Sequence, residues 1–398
     1  MKTKKFIWPL LIIIAISITP IRLLVGYFSS YEFSLNKRQE LAKNLTSDIE
    51  IAAIWNNKHF GESFIKGVDL ALEEENTKGF NFTHEDTKIT VTKKMVIRYF
   101  SGDKTENKNL SEEITANRNI VAAISAQEST EALNSSVLFE QHGVLFLSTF
   151  ATDQHLTNHG FNYVFSTIPV AVDYAKALVD FTEHKGFKKV AYLYPREGSG
   201  ALNFTISFST LLFNKPISVT ESSSFDSKQE DYRQLAYKLL ENPTDTILLL
   251  AKGKTAARMI EQLRDMGIDK PIMGYIGLDD IDIWEASNGR SYNTFIASTF
   301  PAINEVDKAT DTYKNYHSKY GTYPNYLAIQ GYNAIKIIAG AIRKGNSYIP
   351  INIAGTLKYH FKGEYKDYFF NSLGRIENAS IIIKEMKDGE FHNTLKPE

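Results

Sequence analysis

The sequence predicts an α/β protein built as two interleaved Rossmann-like lobes, each a parallel sheet flanked by helices, joined by a three-strand hinge. Three observations carry this expectation. From residue 48 onward, short apolar runs alternate with amphipathic stretches of helical length, and such alternation makes right-handed βαβ units and a parallel sheet with helices on both faces. The chain has 398 residues, a length suited to two domains or two lobes of one. No long Pro/Gly linker divides it, so the halves interleave, with crossings near "FSTIP" and "STFP".

Taken in order, the chain begins "MKTKKFIWPLLIIIAISITPIRLLVGYF", with Lys2, Lys4 and Lys5 ahead of an apolar run over 6–28. The positive end stays cytoplasmic and sends the rest outward. Two readings of residues 1–28 stand. An uncleaved signal anchor has nearly the ~20 residues that a span needs, although Pro9, Pro20 and Arg22 weaken it. A signal peptide cleaved at "AIS" (15–17) satisfies the small-residue rule but leaves "ITPIRLLVGYF" as an exposed apolar leader. Either way the body is exported to the periplasm, anchored to the inner membrane by 6–28 in the first reading. Residues 29–47 are polar and helix-permitting and read as a stalk.

Strands are expected at "IEIAAIW" (49–55), "KITVTKKMVIRYF" (88–100), "IVAAIS" (120–125), "VLFLST" (144–149), "KKVAYLYP" (188–195), "DTILLLA" (245–251), "PIMGYI" (271–276) and "TFIAST" (294–299). Helices begin near Gly61, Leu110, Thr130, Val172, Ala201, Asp231, Thr255, Glu305 and Asn325. The stretch 356–391 breaks the rhythm with turns at "GE", "LG" and "DG", and reads as an antiparallel annex. The expected division is 48–168 plus 300–378 for one lobe and 169–299 plus 379–398 for the other.

Composition narrows the function. Lys and Arg number 45 against 46 Asp and Glu, a net charge of −1 without a basic block, which argues against a nucleic-acid partner. The absence of Cys removes disulfides, thiolate zinc sites, a cysteine nucleophile and a lipid-modified N-terminal cysteine. "GKT" at 253–255 ends like a phosphate-binding loop, but Leu248 stands where that loop needs Gly, so it reads as a strand-to-helix turn. His155 and His159 are four apart without a carboxylate of metal-site spacing, and read as a solvated or capping pair. No Gly-x-Ser-x-Gly elbow is present. With no nucleophile–base constellation, an enzyme is the least favoured class, and neither metal nor cofactor is expected. Trp55, Phe60 and Tyr275 stand at strand ends, where they serve either the core or the wall of a cleft.

One stretch is unusual. "FLSTFATDQHLT" (146–157) ends an apolar strand in hydroxyls at Ser148, Thr149, Thr152 and Thr157, with nothing placed to activate them. Lys252, too, stands at the carboxyl edge of a strand, the edge at which open α/β sheets bind ligands.

"IEIAAIW…FGESFIKGVDLALEEENTKG" resembles the opening strand and helix of the type I periplasmic binding proteins, specifically the branched-chain amino-acid-binding family of ABC importers. "VAAISAQESTEALNSSVLFEQHGVLFLSTFATDQHLTNHGFNYVFSTIP" is similar to that family's most characteristic stretch. "KKVAYLYPREGSGALNF", "DTILLLAKGKTAARMIEQLRDMGIDKPIMGYIGL" and "KYGTYPNYLAIQGYNAIKIIAGAI" continue in family order, so that the resemblance spans roughly 48–395.

The resemblance implies two lobes that close on a small-molecule solute without chemistry, an ABC transporter permease as partner, and no cofactor. It implies that the loops at 125–129 and 148–152 hold the ligand's carboxylate through hydroxyls and backbone N–H groups, in part at a helix N-terminus. Ser129, Phe150, Ala151 and Thr152 are the residues concerned, with Trp55 and Lys252 as further candidates at strand ends. Departures matter equally. The loop "WNNKHFG" is short and lacks the family's Ser-Gly; Ser199 stands where amino-acid-binding members carry a covering aromatic, and Ile276 where they carry the acid that pairs with the ligand's ammonium. The carboxylate half of such a site is therefore expected and the ammonium half is not, unless Glu128 or Asp279 reaches an amine from another direction. A second class of function remains open: a membrane-tethered ligand sensor or envelope-protein regulator of the same fold.

Overall fold

Two sheets organise the chain in the computed structural model, which describes residues 31–41, 47–56, 58–83, 88–102, 106–358, 361–362 and 367–395. The first has five parallel strands in the spatial order Met95–Ser101, Ile49–Trp55, Ile120–Ala126, Leu145–Ser148, Val164–Ser166. The second has seven, ordered Glu390–Leu395, Ile382–Lys387, Thr294–Ser298, Ile272–Gly274, Thr246–Leu249, Lys189–Pro195, Ser218–Phe225. Its five inner-sequence strands are parallel, and the two C-terminal ones add antiparallel at one edge. Every residue of Ile120–Ala126 is buried, as expected for a parallel strand covered on both faces.

The parallel strands of both sheets share one topology. The second strand of each set lies on one side of the first, and the later three lie on the other. The order therefore reverses between Ile49–Trp55 and Ile120–Ala126 in one lobe, and between Lys189–Pro195 and Thr246–Leu249 in the other. At such a point neighbouring connections leave toward opposite faces and open a crevice beyond the carboxyl ends of the strands.

Interleaving follows from the helices. After the second sheet's parallel strands, the chain returns to the first lobe, where helix Tyr326–Gly345 packs against helix Lys58–Lys78 in one core with the first sheet. Glycine permits the close approach. A Cβ on Gly67 would lie 1.8 Å from the Ala328 carbonyl oxygen, and one on Gly331 would lie 2.2 Å from that of Phe64. The chain then crosses back to contribute Ile382–Lys387 and Glu390–Leu395 to the second sheet.

Several local readings need correction. The stretch 88–100 is two strands: Thr90–Lys93 forms a hairpin with Phe80–Thr83, and Met95–Ser101 joins the sheet. The break falls at Lys94, whose N–H is taken by the Asp48 side chain at 3.0 Å rather than by a ladder partner. The C-terminal annex is antiparallel where its last hairpin extends the second sheet, but its first residues finish a helix, Pro350–Lys358. Ser218–Phe225, polar because it lies at the sheet edge, had no apolar signal to mark it.

Within the segment 29–47, Tyr31–Glu40 is a helix attached to the first lobe. Its Arg38 is buried, and the guanidinium donates to the carbonyls of Ile120 and His142 at 2.9 Å, Thr115 at 3.1 Å and Asn117 at 3.2 Å. Three of these belong to the ends of helices Asn107–Ala116 and Ser129–His142, where the helix dipole is negative and the carbonyls lack intrahelical partners. Burial lowers the Arg38 pKa to about 10. The apolar run 6–28 lies outside the described residues; among the described residues no helix is long and apolar enough to cross a membrane.

In the second lobe, Lys384 on Ile382–Lys387 pairs with Asp279 at 2.6 Å, both side chains 1% exposed. The ammonium also donates to the Phe300 carbonyl at 2.9 Å and lies 4.2 Å from the Phe391 ring centroid. The Ser298 hydroxyl donates to the same Asp279 carboxylate. This network ties the last strands to the Ser298–Phe300 crossing.

Two outcomes are expected in urea unfolding. Lys384→Met leaves Asp279 buried without a counter-ion and costs about 3–5 kcal/mol, whereas Lys384→Met with Asp279→Leu recovers most of it. Arg38→Ala leaves four carbonyls short of a charged donor, lowers stability by about 3 kcal/mol, and exposes 31–41 to limited proteolysis.

Candidate functional site

The two topological switch points face one another across a single cleft. From the first lobe it is lined by Glu128, Ser129, Thr130, Phe150 and Thr152. From the second come Pro195, Glu197, Gly198, Gly200, Ala201, Leu250, Ala251, Lys252, Tyr275, Ile276 and Gly277. These are the loops that follow the strands ending at Ala126, Ser148, Pro195, Leu249 and Gly274.

Three of those loops are followed at once by a helix. Ser129–His142, Ser199–Leu212 and Gly253–Asp265 all begin in the cleft wall, with 14, 14 and 13 residues respectively. Each N-terminus carries unsatisfied amide donors and roughly half a positive charge. Convergence of three such ends makes the cleft attractive to an anion.

The neutral hydroxyls lie where the first of these helices begins. The Thr152 N–H donates to Ser129 Oγ at 3.2 Å, which leaves the Ser129 proton available to a further acceptor. Thr149 is buried and spends its hydroxyl on the Ser125 carbonyl at 2.9 Å, so it is structural. Ala151 is buried in the core with Phe139 and Phe146. Tyr275, from the second lobe, hydrogen-bonds the Thr152 side chain; burial pushes its hydroxyl pKa up to about 12, against that hydrogen bond and together with the Glu128 charge. Its ring stacks on Phe204 at 4.5 Å between centroids.

Contacts between the lobes cross the cleft directly. Lys252 pairs with Glu128, and Asn203 donates to Asp153 at 2.7 Å. A Cβ at Gly200 would lie 3.0 Å from Ser129 Oγ, so the bare backbone of that helix start is what lets the second lobe approach.

Of the residues singled out from the sequence, Ser129, Phe150, Thr152, Lys252 and Ile276 line this cleft together. Ser199 opens its helix between the lining residues Gly198 and Gly200. Trp55 does not line the cleft: its ring lies over Gly61 and meets Tyr99 edge-on at 6.4 Å, within the first lobe. Phe60 stands not at a strand end but in helix Lys58–Lys78, where it backs Phe150 at 5.2 Å, and of the three aromatics it is Tyr275 that lines the cleft. Around Ser199, sequence reasoning missed Pro195, Glu197, Gly198, Gly200 and Ala201, although a strand, a glycine-containing turn and a helix at a reversal of strand order is the signal that marks a site. "GKT" begins a helix, with Thr255 donating to the Ser227 carbonyl at 3.3 Å. His155 sits on Asp153 at 2.8 Å and His159 stacks on Phe161, and among the described residues no group of side chains has the makings of a metal site.

Comparison with known proteins agrees with this fold. The family model described as "Periplasmic binding protein" matches residues 56–356. Among curated relatives, Leu/Ile/Val-binding protein homolog 7 of Brucella abortus is 22% identical over 366 residues, covering 83% of this chain and 86% of the relative. Among solved structures, the branched-chain amino acid transporter substrate-binding protein LivJ of Streptococcus pneumoniae, in complex with isoleucine, is similar with a TM-score of 0.77 at 20% identity, over 88% of this chain and 100% of that one. A solute-binding protein of an ABC transporter from R. palustris, in complex with benzoate, is similar with a TM-score of 0.72 at 14% identity, over 87% and 95% of the two chains. The family and the similar structures are solute-binding proteins, not enzymes. The chain belongs to the type I periplasmic binding proteins, in the branched-chain amino-acid-binding family.

Proposed function

We propose that the protein closes its two lobes around a small carboxylate-bearing solute that lacks an obligatory α-ammonium, and delivers it to the permease of an ABC importer. The observation that carries this reading is the convergence of three helix N-termini and the Ser129–Thr152 hydroxyls on one cleft. Ser129 and Thr152 donate to the carboxylate through their hydroxyls, with the Phe150 backbone N–H beside them, while Lys252, Ile276 and the start of helix Ser199–Leu212 shape the opposite wall. The isoleucine and benzoate held by the two similar structures have one polar group in common, a carboxylate.

The ammonium half of an amino-acid site is weak here. Ile276 offers no charge, and burying an unpaired cation costs several kcal/mol. Asp279, a carboxylate near in sequence, is buried and committed to Lys384 and Ser298. A branched-chain amino acid therefore binds poorly.

A thermal-shift screen tests this. A ligand at a hundred times its dissociation constant adds about 2.7 kcal/mol, a rise of a few degrees in a chain of this size. Simple carboxylates such as benzoate or 4-methylpentanoate are expected to give that rise and leucine or valine not; Ser129→Ala with Thr152→Ala is expected to abolish it. A shift with leucine alone overturns the reading of Ile276. Failure of every small solute favours the second reading, a membrane-tethered sensor or regulator.

In the same proposal residues 6–28 remain as a signal anchor in the inner membrane, holding the body in the periplasm. Intact-mass measurement of protein taken from its native membrane is expected to include residues 1–28. A mass beginning near Ile18, with release by osmotic shock, identifies a cleaved signal peptide instead.

A further inference from the structure

Two carboxylates line the cleft, and they are placed differently. Glu197 is exposed, on the turn before helix Ser199–Leu212. Glu128 immediately precedes Ser129 and so lies beside the hydroxyl cluster, whereas Asp153, next to Thr152, is buried and taken by Asn203 and His155. In an α-amino acid the amine is carried by the carbon bonded to the carboxyl group. If the carboxyl group sits on Ser129 and Thr152, the amine must lie within a few bonds of them. A cation there needs a carboxylate at hand, and Glu128 is the one in position.

That carboxylate has a cation already. The Lys252 ammonium reaches across from the opposite lobe and pairs with Glu128, the two side chains 36% and 22% exposed. A pair this open to water holds its members only weakly, and a free ammonium of equal charge would compete with it on even terms. The tether removes that equality. Lys252 is attached at the N-cap of helix Gly253–Asp265, in the cleft wall, and so meets Glu128 at an effective concentration that a dilute solute does not match. A zwitterion would, moreover, bring a second positive charge against the first.

We propose that Lys252 is a specificity-determining residue: its ammonium occupies the counter-ion position on Glu128 that an α-amino acid's own ammonium would require, so the cleft supplies the cation and accepts acids that bring none. This rests on the reading of the cleft as a carboxylate site. It goes further in naming the side chain that excludes the amine, and in making that exclusion removable by a single substitution.

The test uses leucine and 4-methylpentanoate, the same skeleton with and without the amine, titrated calorimetrically into the full chain and its variants. Wild type is expected to bind 4-methylpentanoate in preference to leucine. Lys252→Met, which keeps the stem and deletes the charge, is expected to tighten leucine binding by at least about tenfold, and Lys252→Met with Glu128→Gln to lose that gain. Lys252→Gln serves in place of Lys252→Met if circular dichroism finds the latter unfolded. If wild type prefers leucine, the carboxylate reading itself fails and this proposal with it. If wild type prefers 4-methylpentanoate but a folded Lys252 variant gains nothing for leucine, the carboxylate reading stands and the role of Lys252 is overturned. A gain that survives Glu128→Gln but disappears with Glu197→Gln overturns it equally, since the amine is then met at the rim.

Discussion

Withdrawing a charge from water is costly unless the surroundings replace what water supplied, and that constraint decides how this molecule is held together. Arg38 is buried and is met by four backbone carbonyls at the ends of two helices and the start of a strand. Lys384 is buried and is met by Asp279, the Phe300 carbonyl and an aromatic face. Glu128, drawn between two lobes, is met by Lys252. The first ties the N-terminal helix to one lobe, the second ties the C-terminal strands to a crossing between lobes, and the third spans the cleft. The same rule then bears on any ligand: whatever charge it carries into a closing cleft must find its complement in the walls.

Those walls follow from topology. Each sheet reverses its strand order once, and each reversal opens at the carboxyl ends of its strands. Because the chain passes between the lobes, rather than finishing one before starting the other, the two reversals face one another and the helices that follow them begin in a shared space. The positive character of the cleft thus draws little on side-chain charge. It comes from backbone amides and helix dipoles, at the starts of helices Ser129–His142, Ser199–Leu212 and Gly253–Asp265. Gly200 adds the fit, since a side chain there would press on the Ser129 hydroxyl.

Much of this was legible in the sequence, and the parts that were not have physical reasons. Fully buried strands such as Ile120–Ala126 announce themselves as apolar runs, and their alternation with helices gives the lobes. The edge strand Ser218–Phe225 is half solvated and carries a run of serines, so its apolar signal vanishes. The break at Lys94 is set by a side chain from Asp48, distant in sequence, and no local propensity records it. In the site, hydroxyls at the end of an apolar strand were visible because they are anomalous there. Trp55 was misplaced because a strand end has two faces, and only the packing against Gly61 decides which one the ring takes. The partners of Asp279 and Glu128 lie 105 and 124 residues further along the chain, at Lys384 and Lys252, so the fact that both carboxylates are already answered could not be read from their neighbourhoods.

The central claim is that the cleft is completed by a carboxylate that brings no amine of its own. Native mass spectrometry of protein purified without unfolding addresses it most directly, because a solute enclosed between two lobes travels with the protein into the gas phase and can be released and identified. The expected result is a small organic acid without a primary amine, lost together with the signal in the Ser129→Ala, Thr152→Ala protein. Release of leucine, isoleucine or valine from wild-type protein would contradict the claim.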